Sequence, residues 1–250
     1  MSAHPSAGTL SFSLLDLIFP PRCVTCGARG ASLCSTCLAT FRLPEHQTCA
    51  RCQRPLAPDS FGAPPVGLCG RCQDEPSAGL AGLLVAARYE AVARQAILAF
   101  KYHRQRRLAD PLGSLLARRA EAIAPVPTLV ISVPLHYIRQ RQRGFNQAEL
   151  LARRCAARLG LPFRADLIVR TRATRPQVGL GLAERQANVA GAFAITRHAS
   201  AQLAGRRILL VDDVCTTGAT MASAAGALLA GGASSVWGLA VARPTLDTTD

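Results

Sequence analysis

Residues 207–220 of this chain, RILLVDDVCTTGAT, constrain its fold more than any other segment. Their four apolar residues, 208–211, predict a short buried strand of a parallel sheet, and Asp212 and Asp213 follow at its carboxyl end. The loop 216–220 then leads into a stretch of helical composition. Such a loop offers backbone N–H groups, hydroxyls and a helix N-terminus to an anion, at the sheet edge where α/β proteins bind ligands.

An ordinary strand–turn–helix with a threonine-rich cap is the alternative interpretation of this segment. It does not explain the two adjacent acids, because neighbouring like charges destabilise a fold unless something uses them. The segment therefore favours a sugar-phosphate site, in which Asp212 and Asp213 hold hydroxyl groups and the threonine loop holds the phosphate.

The rest of the chain alternates between predicted strands and predicted helices. This order predicts an α/β fold with a doubly wound parallel sheet. The loop that follows the strand at 129–133 contains Arg139, Arg141 and Arg143 and suits a diphosphate, although a solvated basic face would have the same composition. The predicted strands cover 83–88, 129–133, 166–170, 208–211 and 235–242.

Eight of the ten cysteines fall between residues 23 and 72, in four CxxC pairs. Each pair presents two thiolates to a metal, and two pairs complete a closed tetrahedral Zn²⁺ site, so the spacing predicts two structural zinc ions. Disulfide or redox chemistry is the weaker alternative. Sequential and interleaved combinations of the pairs are both compatible with the sequence. The predicted ligands are Cys23, Cys26, Cys34, Cys37, Cys49, Cys52, Cys69 and Cys72.

The formal net charge of +14 arises from 28 arginines and a single lysine, Lys101, against 15 acidic residues. Compositional bias and attraction to polyanions both explain this charge. Lys101 is a candidate phosphate contact because lysine and arginine are not interchangeable at such sites, with chance survival of one lysine as the alternative. The sequence shows no signal peptide and no apolar run of membrane-spanning length, which predicts a cytoplasmic protein without membrane insertion.

The motif of four apolar residues followed by DDVCTTGAT resembles the signature of type I phosphoribosyltransferases, which use phosphoribosyl pyrophosphate (PRPP) with Mg²⁺. The resemblance implies that Asp212 and Asp213 hold the ribose hydroxyls and that the segment 171–193 is a lid over PRPP, for which an exposed loop is the alternative. It implies a catalytic set of Asp212, Asp213, Lys101 and Arg143. The implied pyrophosphate ligands are Pro134, Leu135, His136 and Arg143, and the implied 5′-phosphate ligands are Cys215, Thr216, Thr217, Gly218, Ala219 and Thr220.

Residues 14–243 as a whole resemble the ComF family, in which a double zinc ribbon precedes a phosphoribosyltransferase-like domain. The matching segments are the four CxxC pairs, ILAFKYHRQRRLADPL, VPLHYIRQRQRGFNQAELLAR, TRPQVGLGLAERQANVAGAF and RILLVDDVCTTGAT. The resemblance implies a zinc-ribbon module over 14–76, a phosphoribosyltransferase-like domain over 80–243, and a role in natural transformation with incoming single-stranded DNA. Two functions stay open: a phosphoribosyltransferase with an unknown acceptor, or a non-catalytic protein that binds PRPP, DNA or a competence partner such as a helicase.

Overall fold

The computed structural model describes residues 19–43, 48–53, 56, 67–74, 79–173 and 182–244. The strands of this part are β1 (Gly82–Arg88), β2 (Leu129–Ser132), β3 (Phe163–Arg164), β4 (Ile168–Arg170), β5 (Phe193–Ile195), β6 (Arg207–Val214) and β7 (Ser235–Arg243). Five of them form a parallel sheet in the order β1–β7–β6–β2–β3. The other two, β4 and β5, form a separate antiparallel pair.

Helices cover both faces of the five-stranded sheet, which confirms the predicted doubly wound α/β fold. The helices are α1 (Ser35–Ala39), α2 (Gly70–Asp74), α3 (Ala91–Tyr102), α4 (Ala109–Ala120), α5 (Tyr137–Arg143), α6 (Gln147–Leu159), α7 (Leu182–Val189), α8 (Ala199–Leu203) and α9 (Ala219–Ala230). Residues of α3, α4 and α6 belong to one buried cluster, and residues of α8 and α9 belong to the other. Within the described ranges, none of the helices combines the length and apolar character needed to cross a membrane.

The middle strand, β6, shows why residues 208–211 are continuously apolar. Leu209 and Val211 join the cluster beneath α4 and α6, whereas Ile208 and Leu210 join the cluster beneath α9. Successive side chains of a strand point to opposite faces, and here both faces are covered. Full burial of each of these side chains stabilises the fold by about 1.5–3 kcal/mol.

The strand predicted at 166–170 differs from the observed one in its partner. β4 pairs antiparallel with β5, and Ile168 lies opposite Ile195, so this segment does not enter the parallel sheet. Ile168 is buried while Val169 is exposed, which suits a strand with one solvated face. The strand on the outer side of β2 in the parallel sheet is instead the two-residue strand β3.

Two short helices occupy segments that the sequence predicts as loops. α5 lies within the arginine-rich stretch after β2, and its arginines left no apolar repeat from which to predict it. α7 lies within the predicted lid. The part of that lid at 174–181 lies outside the described residues.

The cysteine-rich segment covers β1, which is an edge strand of the sheet. The N–H of Leu83 donates to the Arg51 carbonyl over 2.7 Å, and the N–H of Val85 donates to Gln53 Oε1 over 2.8 Å. The N–H of Arg88 donates to the Arg42 carbonyl over 2.7 Å. These bonds satisfy edge groups that would otherwise face solvent.

Candidate functional site

The two acids lie within the carboxyl end of β6 rather than after it, because the strand continues to Val214. Asp212 is partly exposed and Asp213 is buried. The backbone N–H of Asp213 donates to the Asp212 carboxylate over 2.8 Å. Since β6 is the middle strand, the acid pair lies at the centre of the sheet's carboxyl edge.

Lys101, the single lysine of the chain, reaches the acid pair from the last turn of α3. Its Nζ lies 2.9 Å from Asp213 Oδ1, and the two side chains are 16% and 11% exposed. Burial opposes the charged form of Lys101, but the Asp213 carboxylate raises the pKa of the ammonium group above its usual value. The ion pair neutralises one of the two adjacent acids and places Lys101 at the candidate site.

The ion pair between Lys101 and Asp213 leaves the second acid, Asp212, without a salt bridge to Lys101. Burial, and then the Asp213 carboxylate, raise the pKa of Asp212 from 3.8 to about 7, while Lys101 and Arg170 act in the opposite direction. Near neutral pH the carboxyl group therefore populates both protonation states. A strongly perturbed acid at a sheet edge is typical of a functional site, because a bound hydroxyl or cation would stabilise the carboxylate form.

The raised pKa of Asp212 predicts how stability depends on pH. Because the pKa in the fold lies above that of the unfolded chain, Asp212 stabilises the fold at acid pH, and this contribution is lost as the pH rises from 3.8 to about 7. We expect Asp212→Asn to flatten the fall in the free energy of unfolding over this window, measured by urea denaturation. Asp110→Asn, at a surface acid beside Arg158, is the control. An equally steep fall in Asp212→Asn would contradict the assignment.

Arg143, one of the candidate site residues, lies in α5 and is near enough to Lys101 to oppose its charge. It lies four residues after Arg139 and therefore on the same face of the helix. Its guanidinium carbon lies 5.4 Å from the ring centre of Tyr102, and its Nη1 donates to Gln147 Oε1 over 3.2 Å. Burial, and then Arg143, lower the pKa of Arg139, which shows that the two guanidinium groups lie close together.

Arg170, the last residue of β4, is a charged neighbour of Asp212 that is absent from the residues predicted from sequence. Burial, and then Arg139, lower the pKa of Arg170, whereas Asp212 raises it. The sequence predicts 166–170 as a strand of the parallel sheet and so does not place Arg170 beside Asp212. The available signal was a single arginine at the end of an apolar strand. Cationic groups from α3, α5 and β4 thus gather around the acids.

The loop 134–136 connects β2 to α5 at the same sheet edge, since the ends of β2 and β6 pair at Ser132 and Val211. His136 is buried and caps α5, where its Nδ1 accepts the N–H of Ile138 over 3.5 Å. Asn146 caps α6 and also donates to the Val133 carbonyl over 3.1 Å. The structure therefore brings the predicted pyrophosphate loop beside the acid pair.

The loop 215–220 turns from β6 into α9. Gly218 has a φ of +85°, a conformation that favours glycine, and α9 begins at the next residue. The N–H of Cys215 donates to the Ala242 carbonyl over 2.9 Å, so this amide is already engaged within the fold. Thr217 Oγ1 accepts the N–H of Ala219 over 3.4 Å. The loop thus leads from the strand that carries the acid pair to the N-terminus of α9, where an anion would meet backbone N–H groups.

The cysteines form two groups, and each group joins neighbouring CxxC pairs. In each group the sulfur atoms all lie within 4.8 Å of one another. A tetrahedral zinc with Zn–S bonds of about 2.3 Å places sulfur atoms about 3.8 Å apart. The Cys26–Cys34 and Cys52–Cys69 sulfur distances are both 3.7 Å. The residues therefore fit two structural zinc sites with sequential pairing of the CxxC pairs. The first cysteine group consists of Cys23, Cys26, Cys34 and Cys37, and the second cysteine group consists of Cys49, Cys52, Cys69 and Cys72.

Comparison with known proteins agrees with both parts of the chain. The family model for the double zinc ribbon domain matches residues 14–73, and that for the phosphoribosyl transferase domain matches residues 116–243. The structure of glutamine PRPP amidotransferase from B. subtilis, complexed with ADP and GMP, is 16% identical with a TM-score of 0.39. The matched region covers 58% of this chain and 30% of the amidotransferase chain, and this similarity is too low to support a conclusion.

Two curated relatives match over most of their length. DNA utilization protein YhgH of Escherichia coli O157:H7 is 34% identical over 218 residues, covering 82% of this chain and 93% of that protein. Competence protein F of Haemophilus influenzae is 30% identical over 227 residues, which cover 83% of this chain and 96% of that protein. With its double zinc ribbon, its parallel sheet and these relatives, the chain belongs to the ComF family of competence-related, phosphoribosyltransferase-like proteins.

Proposed function

We propose that this protein binds PRPP with Mg²⁺ at the carboxyl edge of its sheet, in the cytoplasm. The observation that carries the proposal is the acid pair of β6, which lies directly before the loop 215–220 and the N-terminus of α9. Asp212 and Asp213 would hold the ribose hydroxyls. The 5′-phosphate would lie against Thr216, Thr217, Gly218, Ala219 and Thr220, with Cys215 behind them.

The pyrophosphate of PRPP would lie on the loop 134–136. Arg143 ends the helix that follows this loop, and its hydrogen bond to Gln147 fixes its guanidinium group. If the C1′–oxygen bond breaks, negative charge develops on pyrophosphate and positive charge on the ribose. Arg143 and Lys101 would stabilise the first, and the carboxylates would stabilise the second. Bound Mg²⁺ would neutralise pyrophosphate oxygens.

Isothermal calorimetry with Mg²⁺ and PRPP tests this proposal. We expect saturable binding of one PRPP per chain, with competition by pyrophosphate and by ribose 5-phosphate because each fills one half of the site. A pyrophosphate-release assay with candidate acceptors then separates an enzyme from a protein that only binds PRPP. Absence of heat and of any thermal stabilisation at saturating PRPP would exclude the proposal.

DNA binding is a second candidate function, supported by the names of the relatives and by a specific surface beside the site. Two of the three tyrosines, Tyr102 and Tyr137, are 61% and 62% exposed. Both neighbour arginines of α5, and Arg106 joins this surface because its Nη2 donates to the Gly144 carbonyl over 3.1 Å. Exposed aromatic rings among arginines suit the bases and phosphates of a single strand.

We expect single-stranded DNA to bind with an affinity that falls steeply as salt rises, because bound phosphates release counterions. Arg104→Ala with Arg106→Ala should lower the salt slope by about two, measured by fluorescence anisotropy. Both side chains are exposed, and the double variant should bind PRPP like the unmodified protein. Arg197→Ala, at another exposed arginine, is the control for charge alone. If the protein binds no DNA at low salt, its positive charge reflects compositional bias. A role in competence would then depend on protein partners such as a helicase.

We propose that residues 14–76 form a zinc-ribbon module and that residues 80–243 form a phosphoribosyltransferase-like domain. The matches at 14–73 and 116–243 support this division. The module would act as a rigid support, because a closed four-thiolate site has no position for a substrate.

A further inference from the structure

Arg243, the last residue of β7, is a buried cation whose contacts join two distant segments. Its side chain is enclosed, with 5% of the residue exposed. Nε donates to the Cys215 carbonyl over 3.3 Å, and Nη2 lies 3.2 Å from Cys215 Sγ. Nη1 donates to the carbonyl of Cys52, a member of the second cysteine group. One guanidinium group therefore holds the start of the loop 215–220 against that group.

The charge of Arg243 is not balanced by an acidic side chain. In the part of the chain that the structure describes, no carboxylate lies within ion-pair distance of this guanidinium, and its contacts are carbonyl dipoles and a sulfur atom. Burial of a cation without a counter-charge destabilises a fold. Four thiolates around one Zn²⁺ carry a net negative charge, so the second cysteine group, which Arg243 contacts at Cys52, would supply the counter-charge when metal is bound.

The guanidinium lies directly beneath the turn that leads into α9. A Cβ built on Gly218 would lie 3.9 Å from Arg243 Nη2 and 3.9 Å from Cys215 Sγ. The backbone of Cys215 is also fixed by its N–H bond to Ala242, the residue before Arg243. The position of the loop thus depends on the end of β7, which in turn contacts the second cysteine group.

We propose that Arg243 is a positioning residue that couples metal binding at the second cysteine group to the affinity of the loop 215–220 for the phosphate of PRPP. This inference rests on the proposed PRPP site. Metal binding fixes the Cys52 backbone, Arg243 transmits that position to Cys215, and the loop is held in its binding conformation. Coupling between two sites is reciprocal, so bound PRPP must also retain the metal.

Arginine is required here for its shape as well as for its charge. Its planar fork serves three acceptors on two segments, whereas the single ammonium of lysine cannot reach all of them in that geometry. Arg243→Lys keeps the buried charge and loses the fork, and Arg243→Gln loses both. Arg207→Gln is the matched control, because Arg207 lies at the opposite end of the sheet and its Nε donates to the Val126 carbonyl over 2.7 Å.

The test measures PRPP affinity and zinc release in the full-length zinc-loaded protein. We expect PRPP to bind about tenfold more weakly to Arg243→Gln and to Arg243→Lys, and unchanged to Arg207→Gln. In the unmodified protein PRPP should slow chelator-driven release of zinc from the second group, and both Arg243 variants should lose this effect. A variant that is only less stable would release zinc faster but would still respond to PRPP.

A readout without PRPP separates this inference from the proposed function. Hydrogen exchange at 215–220 should increase on zinc removal in the unmodified protein and should already be fast in both Arg243 variants. Unchanged exchange in those variants, or full PRPP affinity and coupling in Arg243→Lys, would overturn the positioning role. If Arg243→Gln does not fold, Arg243→Lys decides the question. Failure of the unmodified protein to bind PRPP would instead reject the proposed site.

Discussion

Combined Asp212→Asn and Asp213→Asn substitutions are expected to abolish PRPP binding while the sheet stays folded. Both side chains lie at the carboxyl end of β6, and the amides can donate or accept but cannot supply a negative charge to ribose hydroxyls or to Mg²⁺. Loss of two charge-assisted hydrogen bonds should weaken binding by at least about 3 kcal/mol, roughly a hundredfold. Calorimetry with PRPP measures the loss.

The two single variants are expected to differ in stability. Asp213→Asn leaves the Lys101 ammonium without its partner at 2.9 Å, and removal of one member of a buried ion pair destabilises a protein by about 3 kcal/mol. Asp212→Asn removes an acid whose pKa is already raised by burial and by Asp213, so stability near neutral pH should hold or rise. Adding Lys101→Met to Asp213→Asn should recover part of the lost stability without restoring PRPP binding. Unchanged PRPP affinity in the folded double Asn variant would exclude the acid pair as the ribose site.

Loss of the second cysteine group is expected to have a still larger structural effect. Structural zinc in small modules supplies on the order of 10 kcal/mol of apparent binding free energy, so Cys69→Ser should unfold that group and lower the melting temperature. Metal analysis should find two zinc ions in the unmodified protein and one in Cys69→Ser. Cys23→Ser should also lose one zinc, but it should keep PRPP affinity, because the Arg243 contact lies with the second group.

Cys155→Ala provides the control for cysteine replacement. Cys155 is fully buried in the main core, and burial raises the pKa of its thiol to about 12, so it offers no thiolate to a metal. This variant should retain both zinc ions and lose only the small packing contribution of one sulfur atom. One zinc per unmodified chain, or an iron–sulfur absorption spectrum, would overturn the assignment of two zinc ribbons.

The acid pair, the loop after it and the four CxxC pairs could be predicted because each depends on residues close together in sequence. Asp212 and Asp213 follow an apolar run whose length identifies a buried strand. Lys101 could be singled out only because the chain has no other lysine. Its pairing with Asp213, 112 positions away, is a consequence of packing that no local pattern contains.

The residues that were missed depend on strand pairing and on long-range contacts. Arg170 reaches Asp212 because β4 pairs with β5 outside the parallel sheet, and short apolar segments do not reveal their partners. Arg243 contacts Cys52 across 191 positions, and its sequence neighbours describe only an apolar strand with an arginine at its end. The grouping of the CxxC pairs was likewise open in the sequence and was decided by the sulfur positions.

The hydrogen bonds from β1 to Arg42, Arg51 and Gln53 have a consequence for how this chain can be divided. A fragment that begins at residue 80 would contain every strand of the parallel sheet but would leave the outer N–H groups of β1 without acceptors. Such an edge pairs readily with other chains, and aggregation is the usual result. A cut at residue 80, between the two family matches, would therefore not be expected to give two independently soluble pieces.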